Sequence, residues 1–96
     1  MRSRSAAAKA LRAGCAIELR VRGGSMWPLL RSGDWLDIEP ATAVRVGEIA
    51  VVDTAHGLVA HRVVAVDPVV TRGDRVPADD PLAEPLALVG RVRRFR

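Results

Sequence analysis

Residues 48–67 read EIAVVDTAHGLVAHRVVAVD. Two runs of Val, Ile, Leu and Ala flank the short polar stretch DTAHG, and short runs rich in β-branched residues favour strands. A polar stretch that ends in glycine between two such runs is typical of a β-hairpin. This part of the chain therefore predicts two antiparallel strands joined at residues 53–57.

Further strands are predicted on both sides of this hairpin. Upstream, apolar and charged residues alternate in AIELRVRG, residues 16–23, and again in DWLDIEP, residues 34–40, where Pro40 ends the strand. Downstream, VVTRG and LALVGRVRRF, residues 69–73 and 86–95, form a short strand and a closing strand. Gly90 marks a possible bulge in the last of these.

The remaining segments predict little regular structure. Residues 3–13 are rich in alanine and predict a short or frayed helix that Gly14 ends. Residues 73–85 contain three prolines and predict a loop. Six or seven short strands with almost no helix indicate a mainly β fold, either a compact coiled sheet or a small barrel. We expect residues 1–16 to form a basic N-terminal segment and residues 17–96 a single β domain.

The composition is that of one small domain with an aliphatic core. The chain has 96 residues, of which 49% are hydrophobic and three are aromatic. The formal net charge is +4, and 14 of the 15 basic residues are arginines. Such a charge is compatible with an anionic membrane surface or a nucleic acid. The basic residues are scattered and no aromatic ladder accompanies them, so specific nucleic-acid binding is not expected.

Cysteine content and hydropathy bear on the compartment. Cys15 has no partner in the chain, which excludes an internal disulfide and fits a reducing compartment. No run of about twenty apolar residues is present, and the N-terminal apolar run is too weak for a signal peptide. The sequence therefore predicts a cytoplasmic protein that is at most peripheral to a membrane.

Residues 23–30, GGSMWPLL, place Ser25 after two glycines and three residues before Pro28. Gly-Gly-Ser can form a plain turn, because glycine accepts positive φ and serine bonds its own backbone. The same residues can also bend the chain sharply and expose the hydroxyl. The local sequence leaves both interpretations open.

Two histidines differ in their surroundings. His56 lies in the predicted hairpin turn and is expected to be solvated. His61 lies inside the predicted strand LVAHRVV, where a period of two places Val59 and Val63 on its face. A lone histidine in a strand is more often structural than catalytic.

Three aspartates lie in the proline-rich loop, namely Asp74, Asp79 and Asp80. Adjacent aspartates in such a loop are usually solvated or cap a turn, but one of them could orient a histidine in a nucleophile–base–orienter set. His61 and these carboxylates would give mixed metal ligands. Because no recognised ligand spacing is present, we expect neither a metal nor another cofactor.

Several segments together resemble one superfamily. GGSMWPLLRSGDWL resembles the serine box, G-x-S-M-x-P-x-x-x-x-G-D, of the signal peptidases and LexA-like proteases. GEIAVVD, HRVVAV, TRGDRVPADD and ALVGRV are similar to the boxes that follow it, in the same order. The resemblance spans about residues 19–96. It implies a serine peptidase of the S24/S26 type on a mainly β catalytic core.

The superfamily pairs its serine with either a lysine or a histidine. The only lysine, Lys9, lies outside every box, and the position of the base reads His61. The resemblance therefore implies the Ser-His branch, found in archaeal and endoplasmic-reticulum signal peptidases. It assigns Ser25 as nucleophile, His61 as general base and Asp80 as the residue that orients the imidazole. An imidazole, with an ordinary pKa of about 6.5, can accept a proton at neutral pH.

The resemblance gives supporting or substrate-binding roles to six further residues: Asp74, Asp79, Gly23, Gly24, Met26 and Pro28. Asp79 would have a supporting role, and Asp74 would help to build the loop or partly substitute for Asp80. The glycines would allow close approach of a substrate, with the Ser25 backbone N–H at the oxyanion. Met26 and Pro28 would wall a small S1 pocket.

The chain also departs from the signal peptidases. They carry a hydrophobic helix just before the serine box, where this chain has a short basic segment. Trp27 and Leu29 are candidates for an exposed apolar lip that touches a membrane surface or a protein partner, whereas Leu30 and Trp35 are expected in the core.

Three functions follow from these observations. The first is a serine endopeptidase that cleaves a peptide or leader after a small residue. The second is a catalytically inactive binding or scaffold module on the same fold. The third is a self-cleaving regulator of the LexA type, which the sequence disfavours because that type uses a lysine base.

Overall fold

The computed structural model describes residues 5–96, which form one helix, six strands and one 3-10 turn. The elements are α1 (Ala6–Arg12), β1 (Ile17–Arg20), β2 (Trp35–Pro40), β3 (Ile49–Thr54), β4 (Gly57–Ala65), β5 (Val70–Arg72), the 3-10 turn (Pro85–Ala87) and β6 (Leu88–Phe95). All strands belong to one antiparallel sheet in the order β1-β2-β6-β3-β4-β5. The prediction of a mainly β fold is confirmed, and the sheet is not closed into a barrel.

The β3–β4 hairpin forms where the sequence predicts it. Thr54 pairs with Gly57 across the turn, and the Thr54 hydroxyl donates to the Gly57 carbonyl at 2.7 Å. His56 lies at the exposed tip of this turn. In β6, the register against β3 shifts between Val51 and Val52, beside Gly90.

The core lies on the concave side of the sheet. Its buried members come from α1, the segment between β1 and β2, and strands β2, β3 and β6: Leu11, Met26, Leu30, Leu36, Ile38, Ile49, Val51 and Val89. Leu30 is in the core as predicted, but Trp35 is half-buried outside this cluster, where the Arg20 guanidinium lies 4.9 Å from its ring centroid.

Helix α1 is packed against the sheet. The Ser5 hydroxyl caps it by accepting from the Ala8 N–H at 3.2 Å, and Leu11 is only 2% exposed. Arg12 bonds to the buried Asp53 at 3.2 Å. No helix within residues 5–96 is both long and apolar enough to cross a bilayer.

Curvature of the sheet positions the site. The strand order places β1 four strands from β4, which is roughly 19 Å in a flat sheet at about 4.8 Å per strand. Ser25, which follows β1, nevertheless lies 2.9 Å from His61 of β4. The sheet therefore coils strongly enough to bring the β1–β2 connection over the face of β4.

Candidate active site

Ser25 lies on a tight turn between β1 and β2. Gly23 has φ +83°, a conformation that L side chains rarely adopt, and the Trp27 N–H donates to the Gly24 carbonyl at 3.1 Å. Met26 and Leu30 anchor the turn in the core and are 3% and 1% exposed. Met26 is buried in the core, whereas Ser25 next to it is only partly buried. The Ser25 hydroxyl therefore lies at the edge of the core.

His61 lies in the middle of β4, and its imidazole is within hydrogen-bond distance of that hydroxyl. It pairs with Ala50 of β3, and this pairing fixes its backbone in the β3–β4 hairpin. The side chain is 13% exposed, and Nε2 lies 2.9 Å from Ser25 Oγ. The geometry is that of a hydroxyl hydrogen-bonded to an imidazole.

Asp80 completes a chain of three polar groups. His61 Nδ1 lies 2.5 Å from Asp80 Oδ2. An ionised carboxylate can only accept hydrogen bonds, so Nδ1 carries the proton and Nε2 is left to accept from Ser25 Oγ. The carboxylate thereby selects the imidazole tautomer that can take a proton from the serine.

Thr71 also contacts Asp80, and the sequence analysis assigned it no role. Its hydroxyl donates to Asp80 Oδ2 at 2.7 Å, and its carbonyl accepts from the Asp80 N–H at 2.8 Å. Thr71 is the first residue of the box TRGDRVPADD and lies in β5. Its place in that box was the one signal in the sequence that pointed to it. The contact itself could not be read from the sequence, because it depends on how the loop returns to β5.

The segment after β5 holds the Ser25 turn in place. The Arg75 N–H donates to the Ser25 carbonyl at 2.9 Å. At Gly73, an added Cβ would lie 2.8 Å from the Ser25 carbonyl oxygen and 3.1 Å from its Cβ. Only a residue without a side chain allows the two loops to approach so closely.

Asp74 and Asp79 lie near this site but do not contact its polar chain. Asp74 accepts two bonds from Arg62, at 3.1 and 2.8 Å, and its backbone N–H lies 3.3 Å from Met26 Sδ. The Asp74 carboxylate raises the pKa of Arg62 through these bonds. Asp79 pairs at the surface with Arg72. Both carboxylates therefore brace the loop, and neither replaces Asp80.

A cavity of about 440 Å³ lies beside Ser25 and His61. Its wall is mostly apolar and includes Leu19, Met26, Leu36, Val51 and Leu58. Gly23 and Met26 belong to this wall, whereas Gly24 and Pro28 do not, and Pro28 is exposed. The structure thus brings two of the four predicted substrate-contact residues to the cavity.

The backbone around Ser25 offers free donors. Within residues 5–96, the N–H groups of Ser25 and Met26 donate to no protein acceptor. Both belong to the turn that carries the hydroxyl. Such unpaired donors are available to a negatively charged oxygen beside Ser25.

A family model described as Peptidase S24-like matches residues 3–71, more than half of the chain. The chain belongs to the peptidase S24-like family. No curated protein and no solved structure matches it significantly. The matched range of this S24-like chain contains Ser25 and His61 and ends at Thr71, so Asp80 lies beyond it.

Other reactive side chains of this S24-like chain lie away from the site. His56 and Cys15 are exposed, at the hairpin tip and after α1. In the part of the chain that the structure describes, no group of three or more His, Cys, Asp and Glu side chains is placed to hold a metal ion. Ser25, His61 and Asp80 are therefore the polar groups from which the chemistry of the site is derived.

Proposed function

We propose that this chain is a serine endopeptidase of the Ser-His type. The observation that carries the proposal is the hydrogen-bonded chain from Ser25 Oγ through His61 to Asp80, with distances of 2.9 and 2.5 Å. The same hydrogen-bonded arrangement of nucleophile, base and orienting carboxylate occurs in unrelated serine hydrolases, in which geometry and not position in the chain defines the roles. Membership of the peptidase S24-like family supports peptide-bond hydrolysis over other acyl transfers.

The proposed reaction begins with attack of Ser25 Oγ on a peptide carbonyl. His61 Nε2 takes the hydroxyl proton as the new C–O bond forms, and the carbonyl electron pair moves onto oxygen. Asp80 stabilises the imidazolium through Nδ1. The free N–H groups of Ser25 and Met26 are suited to bind the oxyanion.

Collapse of the tetrahedral intermediate breaks the C–N bond. His61 Nε2 returns its proton to the departing amine, and the acyl group stays on Ser25 as an ester. A water molecule then attacks this ester, with His61 again accepting the proton, and the second product leaves as a carboxylic acid. Ser25 regains its proton and the cycle closes.

The apolar cavity and the open edge of the sheet support an extended peptide as substrate. β1 pairs with β2 alone among the described strands, so its outer edge can accept a further strand next to the cavity. The resemblance to signal peptidases adds a small residue before the scissile bond. The substrate would then be a peptide or a leader segment in extended form.

The proposal excludes a lysine base for this chain. Lys9 is on α1, and the Ser25 hydroxyl is bonded to His61 instead. The Ser-His arrangement therefore separates this chain from self-cleaving regulators that use a lysine. A non-catalytic binding module on the same fold is the alternative outcome of the following experiment.

The test combines a fluorophosphonate probe with a peptide library rich in small residues, at pH 7 to 8. We expect labelling and cleavage in wild type and their loss in Ser25→Ala and His61→Ala. Ser32→Ala and His56→Ala are matched controls, since both residues are exposed in turns away from the polar chain and should keep full activity. A folded wild type that neither reacts nor cleaves would favour the binding module.

A further inference from the structure

The turn that carries Ser25 also presents apolar side chains to solvent. Trp27 is 49% exposed and Leu29 is 37% exposed, although Met26 and Leu30 of the same turn are buried. The buried pair fixes the turn in the core, so the exposed pair is held outward on a rigid support. The indole of Trp27 therefore stays in contact with water unless another molecule or a membrane covers it.

Unpaired arginines lie near these two side chains, one of them in space and two along the chain. The described arginines without an ion pair to a carboxylate are Arg20, Arg22, Arg31, Arg45, Arg75 and Arg93. Arg22 and Arg31 flank the Ser25 turn in the chain, and the Arg75 guanidinium lies 5.5 Å from the Trp27 ring centroid. We call Arg22, Trp27, Leu29, Arg31 and Arg75 the Trp27 patch.

We propose that the Trp27 patch docks on an anionic membrane surface. Indole rings favour the boundary between lipid headgroups and acyl chains, because one edge is apolar and the N–H is polar. Arginines beside them would meet lipid phosphates, since no carboxylate of the described chain forms an ion pair with their guanidinium groups. The overall net charge of +4 adds long-range attraction to the same surface.

The size of the patch favours lipid over a protein partner. Stable protein complexes bury roughly 800 Å² on each partner around a packed apolar centre. Two partly exposed side chains, one of them beside the Arg75 guanidinium, are too small to form such a centre. They are sufficient for shallow insertion, in which electrostatic attraction and a few apolar side chains act together.

Docking would place the candidate active site at the membrane surface. Trp27 is two residues from Ser25, and the backbone of Arg75 bonds to the Ser25 carbonyl. The patch and the nucleophile therefore belong to one hydrogen-bonded turn. A peptide held at the membrane surface would reach Ser25 without a search through solution.

The first experiment measures binding to vesicles by sedimentation and by tryptophan emission. Phosphatidylcholine vesicles are compared with phosphatidylcholine vesicles containing 30 mol% phosphatidylglycerol, at low and at high salt. A Trp35→Phe variant leaves Trp27 as the single tryptophan. We expect binding to the anionic vesicles, a blue shift of the Trp27 emission, and weakening by salt. Equal binding to both vesicle types, or no binding at low salt, would overturn the proposal.

The second experiment assigns the binding to the patch. Trp27→Ala should weaken vesicle binding about tenfold and Arg75→Gln about fivefold. Leu86→Ala and Arg93→Gln are the matched controls, since Leu86 is 80% exposed and Arg93 is exposed and unpaired elsewhere. Equal losses in the controls, or an unchanged Trp27→Ala, would refute the assignment.

Vesicle binding does not depend on catalysis, so the two proposals can fail separately. Ser25→Ala should bind vesicles as wild type does, even though it should lose any peptidase activity. Binding with no cleavage would sustain the membrane surface and refute the enzyme. Cleavage without vesicle binding would sustain the enzyme and refute the membrane surface. Association with acidic proteins but not with lipid would refute the membrane surface alone.

Discussion

Asp80 is held to Thr71 by two hydrogen bonds, one through the side chains at 2.7 Å and one from the Asp80 N–H to the Thr71 carbonyl at 2.8 Å. The side-chain bond uses the same oxygen, Oδ2, that lies 2.5 Å from His61 Nδ1. Thr71 therefore fixes the direction of the lone pair that the imidazole meets. We infer that Thr71 is a positioning residue for the proposed reaction and acts through Asp80.

The variant Thr71→Val tests this role. It keeps the shape of the side chain and the backbone bond but removes the hydroxyl, so the carboxylate loses one of its two constraints. We expect kcat to fall about tenfold with little change in KM, as for the loss of one bond to a charged group. A hydrogen bond as short as that from His61 Nδ1 to Asp80 is expected to give a downfield proton signal in the ¹H NMR spectrum, and this signal should broaden or weaken in the variant.

Thr71→Ser supplies the control, since it restores the hydroxyl and should recover most of kcat and the proton signal. A purely structural role would lower stability in both variants without moving the Nδ1 signal. If Thr71→Val leaves kcat and that signal unchanged, the positioning role is wrong.

Neighbouring aspartates provide the sharpest test of the carboxylate. Asp80→Asn should lower kcat about 10²–10⁴-fold, because an amide can donate to Nδ1 and favour the wrong tautomer. Asp79→Asn changes the next residue in the chain, which pairs at the surface with Arg72, and should be nearly silent. Steady-state kinetics on one peptide substrate compares the two. Equal effects would show that the charge of the loop matters rather than the Asp80 contact.

Local patterns were sufficient to predict the mainly β fold. The alternation in β2 indicated the buried Leu36 and Ile38, and the turn at Thr54–Gly57 lies where the sequence placed it. These features depend on neighbours within a few residues. The prediction that Trp35 belongs to the core was wrong. The open sheet edge could not be predicted, because barrel closure depends on strand order and the β1-β2-β6-β3-β4-β5 order is non-sequential.

The candidate site divides in the same way. The resemblance of the sequence boxes to signal peptidases and LexA-like proteases indicated Ser25, His61 and Asp80, which the residues alone left open. Folding brings them together across separations of 36 and 19 residues. Contacts made by loop return were not predictable, including Thr71 with Asp80 and Arg75 with Ser25. The predicted pocket wall at Pro28 fails for a related reason. Met26 and Leu30 are buried in the core, and Pro28, which lies between them in the chain, faces solvent.

Asp37 links stability to pH. Its residue exposure is 8%, Arg94 Nε bonds to Oδ2, and Oδ1 has no hydrogen-bond partner among the described residues. The Arg94 guanidinium bonded to it holds the pKa of the Asp37 carboxyl below its ordinary value. A lowered folded-state pKa contributes stability above the unfolded value of about 4, and this contribution is lost as pH falls through the folded value.

Asp37→Asn should therefore be less stable than wild type at pH 7, and its free energy of unfolding should fall less between about pH 5 and about pH 2. Urea unfolding at several pH values measures both quantities. Asp79→Asn is the control, since its carboxylate is 48% exposed and its pairing is screened by water. Parallel acid dependence in Asp37→Asn and wild type would contradict the prediction.

Two glycines near Ser25 differ in the space around them. At Gly73 an added Cβ would lie 2.8 Å from the Ser25 carbonyl oxygen, a backbone atom that cannot move aside by a side-chain rotation. At Gly24 the nearest atom to an added Cβ is the end of the Arg75 side chain at 4.0 Å, and its φ is not positive.

Gly73→Ala should accordingly push the Ser25 turn away from β5, lengthen the Ser25–His61 contact and reduce kcat, with a loss of about 1–3 kcal/mol in the free energy of unfolding. Gly24→Ala should leave both quantities nearly unchanged, although it lies next to the proposed nucleophile. Urea unfolding and steady-state kinetics on the pair distinguish a steric clamp from general sensitivity of the turn. A tolerated Gly73→Ala would mean that close packing at Gly73 does not set the position of Ser25.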